Sequence, residues 1–280
     1  MYLQAYLDRI AYEGDVQPDL DCLKRIHRCH ALTVPYENLD VQLERPLDQD
    51  LERIFNKIVS RRRGGWCYEQ NGLLGWALSK IGFDVTRVAG AVDRREHGDE
   101  KLGNHLVLLV ELDKTYLVDL GLGDGCRAPL PLAEGTHQQG ELSFRLERIE
   151  DRYWRFHNHS FGAPASFDFR QEVADEPLLV SMCHKLQVSP DSSFVQNFVA
   201  QIMQESSVTS LTGKVMTVKT SAGSTKTELS SAANLESILA EVFGIEDLEI
   251  QSLWSKIQAR HTALFGAQAL DQVEAPKVEP

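Results

Sequence analysis

The chain changes its hydrophobic period at Gly82, and that switch constrains the fold more than any other feature. Before it, apolar residues recur at helical spacing: Leu51, Ile54, Phe55, Ile58 and Val59 form one stripe, and Leu73, Leu74, Ala77, Leu78 and Ile81 another. Asp48 and Asp50 stand where the first stripe needs an N-cap. Gly82, free to take left-handed backbone, closes the second, so the spacing predicts a helix over residues 67–81. After Gly82 come short runs rich in Val, Leu and aromatics at 85–92, 105–112, 116–120, 142–149, 153–157 and 167–169, the texture of a β region. Beyond Ser189-Pro190-Asp191-Ser192-Ser193 the pattern is mixed: a helical stretch at 194–203, strands at 214–219 and 226–229, and helices at 235–243 and 250–264. Helices first, strands next and a mixture last read as an α+β fold, divided into residues 1–82, 83–190 and 191–280. Residues 274–280 hold too little apolar content to pack.

The charge balance narrows the partners. Asp and Glu number 41 against 29 Lys and Arg, a formal net charge of −12 whose field repels phosphate backbones and anionic lipid. Nucleic acid and membrane are therefore not expected partners. No apolar run approaches the roughly 18 to 20 residues that span a bilayer, and the first residues carry acids where a signal peptide carries basic and then apolar ones. A cytoplasmic location is expected. Cys22, Cys29, Cys67, Cys126 and Cys183 are odd in number and widely spread, with no CxxC pair, so reduced thiols and no metal site are expected.

Most of the legible chemistry lies in Arg61-Arg62-Arg63-Gly64-Gly65-Trp66-Cys67-Tyr68-Glu69-Gln70-Asn71-Gly72, directly before an amphipathic helix. Cys67 falls in that helix's first turn, where unpaired N–H groups and the positive end of the macrodipole favour thiolate over thiol. Gly64 and Gly65 would let the backbone approach a substrate, and N–H groups at such a turn suit a developing oxyanion. The turn alone fits equally well a Cys67 that is a small buried hydrophobe.

A thiolate catalyst needs an imidazole. Of His27, His30, His97, His105, His137, His157, His159, His184 and His261, His105 stands out because it opens the most apolar strand of the chain behind a Gly103-Asn104 turn. Asp119 follows within Tyr116-Leu117-Val118-Asp119-Leu120-Gly121, and an acid in so apolar a run wants a partner. An odd number of residues in the intervening hairpin loop puts Asp119 and His105 on one face, and an even number puts them on opposite faces. The sequence leaves the loop length open. It also leaves room for a core histidine and a strand-end turn former without chemistry.

Together these pieces resemble the arylamine N-acetyltransferase family. The resemblance runs through Tyr6-Leu7-Asp8-Arg9-Ile10 with Tyr12 and Gly14, Val34-Pro35-Tyr36-Glu37-Asn38-Leu39-Asp40, the block from Arg63 to Gly72, His105, and Val118-Asp119-Leu120-Gly121-Leu122-Gly123. Beyond about residue 190 it is thinner, resting on Gly213 and Phe243-Gly244-Ile245. It implies an N-terminal helical bundle, a central β-barrel and a C-terminal α/β lid, around a cysteine core like that of papain-type and transglutaminase-type enzymes. It further implies Cys67 as nucleophile, His105 as base and Asp119 as orienting carboxylate. The implied reaction is ping-pong: the thiolate takes acetyl from acetyl-CoA, and an arylamine, arylhydrazine or N-hydroxyarylamine removes it. Tyr36 and Leu122 stand where many members have phenylalanine, and with Trp66 and Gly103 they are the substrate-pocket residues the resemblance suggests. It also suggests that Arg63 and Glu37 pair to brace the nucleophile's turn.

The same three residues would serve a cysteine hydrolase with water as acceptor, or an amide synthase that closes a long acyl chain onto an amine. A non-catalytic binding module is a third class. CoA carries phosphates to an acidic protein, so local basic surface is required, and Arg94, Arg95, Lys101, Lys214 and Lys219 are candidates for it.

Overall fold

The computed structural model describes residues 1–150, 152–246 and 249–265. The helical part comprises α1 (Leu3–Arg9), α2 (Leu20–Thr33), α3 (Leu39–Gln42), α4 (Leu51–Phe55) and α5 (Cys67–Ile81), with a two-residue strand β1 (Tyr36–Glu37) between α2 and α3. The stripe at 51–59 behaves as expected only in its first half. Asp50 caps α4 by accepting the Arg53 N–H at 2.9 Å, but from Asn56 to Ser60 the helix widens to π geometry. Gly82 closes α5 at φ +109°, as expected of a left-handed cap.

The middle of the chain forms β2 (Asp84–Val92), β3 (His105–Glu111), β4 (Thr115–Val118), β5 (Leu130–Pro131), β6 (Gly135–Gln139), β7 (Leu142–Ile149), β8 (Tyr153–His157) and β9 (Ser166–Arg170), with a one-turn helix α6 (Arg94–His97) after β2. These strands make one antiparallel, nearly closed sheet in the order β5-β4-β3-β2-β9-β8-β7-β6. β3 is an unbroken apolar run because both its faces are covered. Leu108 and Val110 pack into the helical core, whereas Val107 and Leu109 point into the barrel with Phe144, Phe156, Phe167 and Phe169.

A thirteen-residue helix, α7 (Glu176–Val188), follows the barrel; its apolar positions are too scattered for the sequence pattern to have exposed it. The expected helix at 194–203 is corrected. Only α8 (Ser193–Gln196) is helical, and Val199–Met203 is strand β10. A short apolar run does not distinguish helix from strand, and pairing decides it: β10 lies between β1 and β11 (Ser207–Thr212), continued by β12 (Val215–Thr220) and β13 (Gly223–Glu228). Helices α9 (Ala232–Phe243) and α10 (Ile250–Phe265) cover this sheet through Leu235, Leu239, Leu253 and Trp254. The architecture is α+β, as expected. Residues 274–280, expected not to pack, lie outside the described residues.

Candidate active site

The double glycine has a packing role that differs from the expected one. A Cβ on Gly64 would stand 2.1 Å from the Pro35 carbonyl oxygen, and one on Gly65 would stand 2.8 Å from Glu69 Oε2. Gly65 also donates its N–H to Pro35 O at 3.3 Å and accepts the Glu37 N–H at 3.1 Å. The glycines thus seat the turn against β1, and the Gly65 N–H is already spent on protein.

Beneath the turn lies a buried ion cluster. Arg63 reaches Glu37 Oε1 through Nη2 at 2.8 Å and Nε at 3.1 Å, with both side chains wholly buried. Lys57 Nζ lies 2.8 Å from Asp40 Oδ2 and 2.9 Å from both oxygens of Glu69. Arg63→Ala should therefore cost about 3–5 kcal/mol in chemical denaturation, because it removes one partner of a buried ion pair and leaves Glu37 in the interior without its guanidinium. A variant as stable as the parent would show that this pair contributes nothing.

Cys67 is the first residue of α5 and 3% exposed. The β3–β4 pairing settles the open question of register. Glu111 faces Thr115, so the loop holds three residues, an odd number. Carried past Leu108–Val118, that register sets Asp119 opposite Val107, on the same side as His105. His105 Nε2 lies 2.9 Å from Asp119 Oδ2. That leaves Nδ1 as the ring nitrogen for Cys67, which lines the same cavity as His105 and whose own sulfur contact is the Asn104 carbonyl oxygen at 4.0 Å. Burial opposes charge on His105, but the Asp119 carboxylate and Cys67 outweigh it and hold the ring's pKa up at about 10. Burial also opposes ionisation of Asp119, yet His105, Asn71 and the Gly121 N–H keep it below the usual carboxylate value.

Asn71 was not foreseen, although it sits four residues after Cys67 on the same helix face. Its Nδ2 donates to Asp119 Oδ1 at 2.7 Å and to Leu106 O at 2.6 Å, while its Oδ1 accepts the Leu120 N–H at 2.9 Å. Gly121 completes the arrangement: a Cβ there would meet Cys67 Cβ at 2.6 Å, Asn71 Nδ2 at 2.8 Å and His105 Cε1 at 2.8 Å. Gly121→Ala should push the thiol and ring apart. We expect a loss of roughly 10²-fold in turnover from a displacement near 1 Å, measured beside an unchanged circular dichroism spectrum.

Cys67 and His105 open onto a cavity of about 400 Å³, and Asp119 is not part of its lining. Tyr36 and Leu122 are on its wall, together with Asn104, Pro164 and Phe194. Trp66 and Gly103 lie behind it. The Trp66 indole is wholly buried, edge-on to Tyr68 and Phe194, and the Gly103 carbonyl accepts the Tyr68 hydroxyl at 2.5 Å. Phe194 carried no local sequence signal, since α8 brings it from far along the chain. Of the basic candidates, Lys101 lines the cavity, Arg94 is tied to Asp99, Glu150 and Asp168, and Arg95 is exposed. Lys214 pairs with Glu228, and Lys219 reaches Phe161 O. Among the described residues, no cluster of His, Cys, Asp and Glu is arranged to hold a metal ion.

Comparison with known proteins matches this arrangement to one family. A family model described as N-acetyltransferase covers residues 19–252. The arylamine N-acetyltransferase of Mycolicibacterium smegmatis is 33% identical over 260 residues, which is 88% of this chain and 92% of the relative. The chain belongs to the arylamine N-acetyltransferase family. It is accordingly an acyltransferase. A pineal gland isozyme of arylamine N-acetyltransferase from Gallus gallus is 34% identical over 78% of this chain and 83% of its own. Among solved structures, the arylamine N-acetyltransferase of Mycobacterium marinum in complex with CoA superposes with a TM-score of 0.85 at 30% identity, covering 92% of this chain and 99% of that one. The enzyme from M. tuberculosis gives 0.82 at 31% identity, covering 91% and 99%.

Proposed function

We propose that the protein moves acetyl from acetyl-CoA to an arylamine, arylhydrazine or N-hydroxyarylamine in two half-reactions through Cys67. In the first, the Cys67 thiolate attacks the acetyl carbonyl, the C–S bond to CoA breaks, and CoA leaves as a thiol with a proton from His105. In the second, the amine nitrogen attacks the Cys67 thioester, His105 takes the amine's proton, and the thiolate is released. Asp119 holds His105 in the tautomer that leaves Nδ1 facing sulfur. The observation that carries this reading is that Cys67, at a helix N-terminus, and His105, paired with Asp119, line one cavity.

Several features support the finer points. Cys67 and His105 are 3% and 2% exposed, which shields a thioester from water and favours transfer over hydrolysis. The M. marinum relative was solved with CoA, and here Lys101 on the cavity wall offers a cation near the nucleophile. A second group of cations, Lys214, Lys226, Lys256 and Arg260, lines with His261 a cleft of about 290 Å³ beside α10 and suits phosphate. On this reading residues 1–82 supply the nucleophile, 83–190 the base and carboxylate, and 191–280 part of the cavity roof through Phe194. A cytoplasmic location fits the acetyl donor, and among the described residues no helix is long and apolar enough to cross a membrane.

Intact-mass spectrometry after mixing with acetyl-CoA tests the proposal. One acetyl group should appear on the protein, persist without acceptor, and vanish on adding an arylamine as the acetylated amine forms. Rapid loss of the adduct without amine would identify a hydrolase instead.

A further inference from the structure

Glu69 is the third residue of the helix that Cys67 begins, and it is buried with unequal electrostatic support. Its Oε2 accepts the Trp66 N–H at 3.2 Å, the peptide group next to Cys67. Among the described residues its one cation is Lys57, which is shared with Asp40 at 2.8 Å and approaches Glu37 at 3.7 Å. The other two carboxylates are better served. Glu37 has the Arg63 fork and the Leu39 N–H at 2.7 Å; Asp40 has Lys57, Arg63 at 3.4 Å and Arg45 at 3.3 Å. When buried carboxylates crowd a limited number of cations, the least supported one takes up the proton first. Burial pushes Glu69 up to about 7, against the pull of Lys57 and aided by Glu37 and Asp40, whereas the cations bring Asp40, despite its burial, down to about 2. A cavity of about 260 Å³ lined by Glu69, Lys57, Asp40 and Arg61 connects the cluster with the surface, on a wall distinct from the one that Cys67 and His105 line.

We propose that Glu69 is a positioning residue whose proton is linked to the charge on Cys67: it is protonated while Cys67 is a thiolate and releases that proton to solvent when Cys67 becomes a neutral thioester. This rests on Cys67 being the acylated residue. Two negative charges in one buried helical turn repel each other, so forming the thiolate favours the neutral acid at Glu69, and acylation removes that repulsion. The protons balance over a turnover. The one released from Glu69 on acylation returns from solvent when the amine takes the acetyl group and the thiolate reforms. Around Glu69 stand Lys57 from the π turn, with Glu37 from β1 and Asp40 from α3 on the same ammonium. Tyr36 from β1 and Cys183 from α7 feel the charge of both Glu69 and Cys67, and Cys67 lies two residues before Glu69 on its own helix, with His105 as its counter-charge. The link is reciprocal, so an uncharged residue 69 also eases ionisation of Cys67.

The test follows glutamate carboxyl carbons by NMR in protein labelled at that carbon, from about pH 5 to 9, with Cys67 free and with Cys67 capped by iodoacetamide as a neutral thioether. One carboxyl should titrate near neutrality, be missing in Glu69→Gln, and move down by about half to one pH unit on capping. If Glu69→Gln does not fold, Glu69→Asp assigns the signal instead, because it takes away the labelled glutamate carboxyl while leaving an acid beside Lys57. The proposal is overturned if every glutamate titrates below about pH 5.5, or if the neutral-range midpoint does not move when Cys67 is capped. The intact-mass measurement with acetyl-CoA reports separately whether Cys67 is the acylated residue, so the two ideas fail by different observations.

Discussion

Cys67→Ala should carry no acetyl group after exposure to acetyl-CoA, and its turnover should fall by at least roughly 10⁴-fold, since the loss of a nucleophile disables every later step. The other thiols are poor substitutes. Burial holds Cys29, Cys126 and Cys183 in the protonated form, well above the usual thiol range for Cys126. None of these three adjoins an imidazole–carboxylate pair as Cys67 adjoins His105 and Asp119. The change should leave the fold intact, because alanine keeps the helical start of α5 and removes a single sulfur from a packed site. An acetyl adduct that persists in Cys67→Ala, located by peptide mapping, would move the nucleophile elsewhere.

Asp119→Asn should lower the single-turnover acylation rate by up to about 10⁴-fold while melting close to the parent. The geometry explains why so small a change acts so strongly. Oδ1 of Asp119 accepts from Asn71 and from the Gly121 N–H, so the oxygen of an asparagine must occupy that position. Its NH₂ then faces His105 Nε2, which can only accept, and the ring proton moves to Nδ1, on the side of the sulfur. The imidazole loses the lone pair it needs to take the thiol proton. Stability should respond to pH with a definite sign. His105 binds its proton more tightly in the folded state, so the pair's contribution is fully present below the unfolded histidine value near 6.5 and is lost as pH rises toward about 10. That decline should be shallower in Asp119→Asn. Near-normal acylation in a folded variant would reduce Asp119 to a strand-end residue.

The sequence by itself determined what depends on neighbours along the chain. Helical spacing placed α5, put Cys67 at its start and put Gly82 at its end, and the apolar runs placed β2, β3, β4, β7 and β8 to within a residue or two. Motif likeness pointed to the family and to Cys67, His105 and Asp119. Tertiary structure alone decided whatever depends on chain segments that meet only after folding. The three-residue hairpin loop put Asp119 on the face of His105, a parity that no local pattern encodes. Pairing with β1 made residues 199–203 a strand, although their apolar run suits a helix equally well. Close approach of β1 gave Gly64 and Gly65 a packing role, and α8 brought Phe194 to the cavity while Trp66 and Gly103 went behind it. The physical reason is common to all of these. Local propensity sets backbone period over a few residues, whereas the identity of a side chain's partner is set by packing and hydrogen bonding between segments far apart in the chain.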